Sequence, residues 1–169
     1  RLGDNQMAET LSVTDMLPNK FEPKRKFRWI FQLEGVDAFL MKKAARPSIE
    51  LGTTEVPWIN NRRYVSNGKT KFSTITVDLH DPIAPSAAQQ VMEWIRTHHE
   101  TVSGRAGYAD FYKRDCQLKM LDPIGTVVEL WDMKGCILQS ANFGDVDYGS
   151  DDITSISLTI QYDNAVLQF

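Results

Sequence analysis

Ile153-Thr154-Ser155-Ile156-Ser157-Leu158-Thr159-Ile160-Gln161-Tyr162 decides the fold. Ile156, Leu158, Ile160 and Tyr162 fall on one parity and Ser155, Ser157, Thr159 and Gln161 on the other, the period-2 pattern of a strand with one face in a core. The second face carries small hydroxyls and an amide where a solvent face normally carries Lys, Glu and Arg. Working outward, the run 142–152 upstream is an acidic loop of Gly, aromatic and Asp residues. It does not fit a calcium loop: counted from Asp145, the sixth position is Ser150 rather than Gly and the twelfth is Ile156 rather than Glu. Farther upstream, Asp115–Leu121 alternates Cys116, Leu118 and Met120 against Gln117 and Lys119. Asp122-Pro123-Ile124-Gly125 is a turn, Thr126–Met133 returns, and Lys134-Gly135 breaks the run before Cys136–Ala141.

Toward the N-terminus, Phe27, Trp29, Phe31 and Leu33 alternate as a buried strand face. Glu34–Asp37 supplies a turn, and Phe39–Ala45 reads as the returning limb of a hairpin that Pro47 ends. The distinctive segment is residues 50–79. Val56-Pro57-Trp58-Ile59-Asn60-Asn61-Arg62-Arg63-Tyr64-Val65 runs into Asn67-Gly68, a hairpin signal because both residues tolerate positive φ. Lys71–Leu79 follows as the second limb, with Thr74, Thr76 and Asp78 opposite Ile75, Val77 and Leu79. A hairpin this long reaches beyond the domain core. Its Arg62, Arg63, Trp58 and Tyr64 suit a protein interface better than a nucleic-acid groove, because two arginines in an acidic chain make a small electrostatic footprint. One helix is legible over about residues 86–99: Ser86 is its N-cap with Gln89 three residues on, Ala88, Val91, Met92, Ile95 and His99 face inward, and Gln90, Glu93 and Arg96 face out.

Composition sets the bounds. The 169 residues make one domain able to bury a core, here residues 21–169 behind an N-terminal arm, 1–20, that is either a flexible tail or a segment that orders against a neighbouring subunit. A net charge of −3 argues against gripping nucleic acid by a basic face. No stretch approaches ~20 apolar residues, and no charged-then-apolar segment opens the chain, so a soluble protein with no membrane partner is expected. Cys116 and Cys136 lack zinc-site spacing; Cys116 reads as a buried inert thiol. No nucleophile elbow, phosphate loop, dinucleotide fingerprint or zinc-protease helix is present, and His98 and His99 are adjacent rather than one turn apart. Neither catalysis nor a metal or other cofactor is expected.

The order of elements, with Val56–Tyr64 and Gly68, the helix stretch Ala88-Gln89-Gln90-Val91-Met92-Glu93-Trp94, and Phe143-Gly144-Asp145-Val146-Asp147-Tyr148 before the final strand, resembles the tail tube proteins of contractile-tailed bacteriophages. The resemblance covers about residues 21–165. It implies an antiparallel β-sandwich flanked by a helix; six copies join edge to edge into a ring whose inner sheet is a continuous β-barrel, and rings stack into the tube through which phage DNA passes. It also implies partners: copies of itself, tail sheath protein, baseplate and tail terminator proteins, and tape measure protein and transient DNA in the lumen of a virion tail assembled in the host cytoplasm. Trp58, Asn60, Arg62, Arg63 and Tyr64 become contacts between rings. The lumen lining is then Ser155, Ser157, Thr159 and Gln161, or the face carrying Thr74, Thr76 and Asp78, since neutral side chains let a polyanion slide where Lys and Arg would hold it. A baseplate protein that starts the tube and, from a different class, a monomeric ligand-binding β-sandwich are the alternatives.

Overall fold

The computed structural model describes residues 20–169. All but the last residue of the expected N-terminal arm lie outside that range. The expected strand at the C-terminal end is present as β8 (Ser155–Gln161), with Ile156, Leu158 and Ile160 buried and the four polar residues half-exposed between them. It lies inside a curled antiparallel sheet. The strand order is β1 (Trp29–Leu33), β6 (Arg114–Leu121), β7 (Val127–Asn142), β8, β5 (Ile75–His80) and β2 (Met41–Lys43), with β9 (Asn164–Leu167) also on β7. The architecture is the mainly β, helix-flanked one expected.

β7 makes the curl. Its first half pairs with β6 and β9 and its second half with β8, so a single strand serves both parts of the sheet. The sequence reading breaks this run at Lys134-Gly135; the chain instead continues through it. Gly135 takes φ +66°, where a Cβ would meet the Asp163 carboxylate, so glycine bends the strand, and the register with β6 shifts between Met133 and Cys136 without ending the strand. Both cysteines are buried beside this bend as free thiols, and the neighbouring Cys136 thiol together with burial pushes the Cys116 thiol up.

The helix, α1 (Ala87–His98), covers the apolar face of the sheet. Its buried stripe is Ala87, Val91 and Trp94, one position away from the expected one, with Ala88 and Ile95 only partly covered. Trp94 sets that rotation. Its indole N–H donates to the Tyr112 carbonyl at 2.7 Å in the one-turn helix α2 (Ala109–Tyr112), and the Arg114 guanidinium lies 5.1 Å from its ring. Ser86 stands at the N-cap without a side-chain capping bond, and Gln90 pairs instead with Asp37.

Two expected hairpins are redrawn. Phe39–Ala45 does not return along β1. After a tight Leu33–Val36 bridge the chain makes a 3-10 turn, Ala38–Leu40, that buries Leu40, and β2 then pairs with β5. β1 pairs with β6, turning Phe31 and Leu33 inward, while Phe27 is 73% exposed before the strand begins. The long hairpin comprises β3 (Ile49–Trp58) and β4 (Asn61–Phe72), so its tip is Ile59-Asn60 rather than Asn67-Gly68. Asn67-Gly68 forms a bulge within β4, where Leu51–Thr53 faces Ser66–Thr70. Gly68 supplies φ +73°, and the Lys69 amide donates to Asn67 Oδ1 at 3.0 Å. The second limb therefore ends at Phe72, and Ile75 opens a separate strand in the main sheet.

Candidate assembly surfaces

The hairpin is tied to the body at its base. Tyr162 continues β8 into this junction: its ring lies 5.5 Å from Phe72 and its hydroxyl donates to the Ser48 carbonyl. The Gln161 amide donates to the Phe72 carbonyl at 3.1 Å, so one residue of the neutral face also fixes the hairpin root. Beyond the root, among the described residues, β3 and β4 pair only with each other, and nearly every residue is exposed. A two-stranded ribbon is marginally stable by itself in water, and this one displays Leu51, Val56, Trp58, Ile59, Tyr64 and Val65.

The register sorts the expected contact residues onto two sides. Val56 pairs with Arg63 and Trp58 with Asn61 on one side; Glu55 pairs with Tyr64 and Pro57 with Arg62 on the other. Arg62 is held by Glu55 at 2.9 Å. Trp58 and Arg63 thus face away from Arg62 and Tyr64, and Asn60 sits at the tip. Ile59, passed over in the sequence, is 89% exposed with φ +49°, a conformation unfavourable for a β-branched residue. No local motif marks it, because Ile carries no preference for that region.

The second surface is the neutral face. Thr76 pairs with Thr159 and Asp78 with Ser157, so the two sets read from sequence as alternatives form one face across β5 and β8. β7 extends it with Ser140 opposite Thr159 and Asn142 opposite Ser157, residues displaced from simple alternation by an irregularity between Leu138 and Ser140. Ser155 pairs with His80 at one end, and Thr74 lies exposed just before β5. Lys43 stands in register with Asp78 at the sheet margin.

At the margins themselves, β1 and β2 each end the sheet with one side unpaired among the described residues. Between them opens a cleft of about 550 Å³ floored by Trp29, Leu118 and Met120 and rimmed by Lys24, Arg25, Lys26, Lys42, Lys43 and Arg46. Buried Glu129 anchors two of the rim cations, accepting from Lys24 at 2.6 Å and Arg46 at 3.5 Å, and it also accepts from the Trp131 indole at 2.5 Å. Burial pushes its carboxyl up, but these donors together outweigh that and hold it below the ordinary carboxylate range. No His, Cys, Asp and Glu grouping among the described residues could hold a metal ion, and no helix there is long and apolar enough to cross a membrane.

No protein-family model and no curated protein matches the sequence. Solved structures do. A chain of the PVC sheath–tube complex, an extracellular contractile injection system in its extended state, matches at TM-score 0.68 and 17% identity over 94% of this chain and 99% of that one. A chain from the anti-feeding prophage tube terminating cap matches at 0.70 and 19% over 98% and 99%. Hcp1 from Flavobacterium johnsoniae matches at 0.50 and 12% over 84% and 95%. At these identities the likeness is one of fold, and the chain carries the fold of the contractile tail tube proteins that its motifs resemble.

Proposed function

We propose that this chain is a structural subunit that closes with its own copies into rings and stacks them into the inner tube of a contractile tail. The observation that carries the reading is the hairpin. An isolated ribbon displaying Trp58, Ile59 and Tyr64 has nothing among the described residues to bury them against, and a neighbouring ring supplies that surface. The open margins at β1 and β2 support the same reading, since edge-to-edge closure satisfies their backbone groups. Six copies per ring, with sheath outside and baseplate and terminator proteins at the ends, follow from the phage-tail resemblance.

The neutral face then lines the channel. Ser157, Thr159, Thr76 and Ser140 offer hydroxyls, and Asp78 repels a polyanion, so DNA drawn through during ejection finds no counterion-releasing grip. Tape measure protein occupies the same channel before ejection. The test is size-exclusion chromatography with negative-stain microscopy of the purified chain. Rings or tubes are expected; a folded monomer at high concentration overturns the proposal.

A further inference from the structure

The acidic loop between β7 and β8 has a chemistry complementary to the cleft. It carries Asp145, Asp147, Asp151 and Asp152, while Val146 and Tyr148 are 90% and 111% exposed. Its own turns hold it in shape: the Gly149 amide donates to Asp147 Oδ1 at 2.9 Å, the Ser150 amide to the Asp147 carbonyl and the Asp152 amide to Ser150 Oγ. A preorganised loop displaying an aromatic and an aliphatic side chain among carboxylates spends little ordering free energy on docking. Across the molecule, the cleft offers an apolar floor inside a cationic rim, and its roughly 550 Å³ is in the range of pockets that accept several side-chain groups. Arg25, Lys26, Lys42 and Lys43 form no ion pair among the described residues.

The loop leaves β7 after Asn142, whereas Glu129, which holds the rim's Lys24 and Arg46 and pairs with Met120 of the floor, stands near the start of that strand, so the cleft floor lies toward the other end. The loop meets the sheet where Ser155 pairs with His80 and Asn142 with Ser157. β2 runs away from that end, from Met41 opposite Leu79 to Lys43 opposite Asp78, and carries on to Ala44 and Arg46 in the cleft wall. A patch at one end and its complement at the other make a head-to-tail contact, which repeats without closing.

We propose that the loop of one copy, residues 143–154, docks in the basic cleft of the next, with Tyr148 and Val146 on the Trp29–Leu118–Met120 floor and the carboxylates against the rim. This deepens the tube reading and rests on it, since the occupant is a second copy of the chain. Residues 1–20 are a poorer occupant: Asp4, Glu9 and Asp15 are offset there by Arg1 and Lys20, whereas the loop has four carboxylates and no cation.

The test uses two full-length variants, Lys26→Glu with Lys42→Glu in the cleft and Asp145→Lys with Asp147→Lys in the loop; Lys24 and Arg46 are spared because they hold Glu129. Sedimentation velocity near 0.1 M salt should show the unmodified chain associating, each variant alone weakened at least tenfold, and an equimolar mixture recovering as an alternating assembly. A milder pair, Lys26→Gln with Lys42→Gln and Asp145→Asn with Asp147→Asn, should weaken association less and without repulsion. Variants that associate as the unmodified chain does overturn the contact and leave the tube reading standing. So does a mixture that fails to recover while both variants melt like the parent. An unmodified chain that never associates overturns both. If the pattern appears only when residues 1–20 are removed, that segment is the cleft's occupant and the proposal falls.

Discussion

Glu129 shows at a single residue how the cleft wall is held. It is a buried carboxylate with a cation on each oxygen and an indole N–H on one of them, and removing its charge leaves Lys24 and Arg46 facing each other unscreened. Both cations are more than half exposed, so the full cost of breaking a buried pair is discounted for solvent. Glu129→Gln should lower stability at pH 7 by about 1–2 kcal/mol in chemical denaturation. The depressed folded-state value means that the contribution is complete above the unfolded carboxyl range and is lost as pH falls through the folded value. The parent and the variant should therefore converge on acidification well below pH 4.5, while a gap that widens would contradict the assignment. Ile59 bears the opposite kind of cost. Its left-handed backbone is disfavoured by roughly 1–2 kcal/mol, and its exposed side chain gains little burial among the described residues to offset that. Ile59→Asn should leave the melting temperature unchanged or raised while weakening self-association; loss of the fold would mean that Ile59 acts within the subunit.

Among the elements, β7 and α1 carry the sharpest expectations. Gly135→Ala places a Cβ at φ +66° against Asp163 and should destabilise by about 1–2 kcal/mol, lowering the denaturation midpoint with little change of slope. Trp94→Ala empties the fully buried anchor of α1, orphans the Tyr112 carbonyl, and should cost about 3–5 kcal/mol. β8 was legible in the sequence because one face is wholly core, and a one-residue slip would expose Ile156, Leu158 and Ile160 together. The Asn67-Gly68 pair misled because it encodes positive φ, and a bulge needs that as much as a turn does. Gly135 misled in the same way, reading as a break where the strand only bends. Phe39–Ala45 could not be paired from sequence, because β2 is three residues long and its partner is fixed by where Leu40 buries rather than by any turn motif. The helix stripe was displaced because Trp94, the residue that sets it, has its indole N–H satisfied by Tyr112, a partner eighteen positions away.

For the whole molecule, the two polar sets that sequence left as alternatives are one face, and the basic cleft has no signature in one dimension because its rim comes from two separated segments, 24–26 and 42–46. In the proposed rings the neutral face would repeat in every subunit, so small charge changes would be multiplied around the channel. Ser157→Lys with Thr159→Lys should turn assembled tubes from non-binding to salt-sensitive DNA binding, read by retention of labelled DNA across a salt series. The most direct measurement of the central claim is a cryo-EM reconstruction of the assembled chain. The account predicts β5, β8 and β7 around the channel with Thr76, Ser157 and Thr159 turned inward, and the Trp58–Tyr64 end of the hairpin buried on the adjacent ring. A channel walled by Lys and Arg, or a hairpin left in solvent, would contradict it.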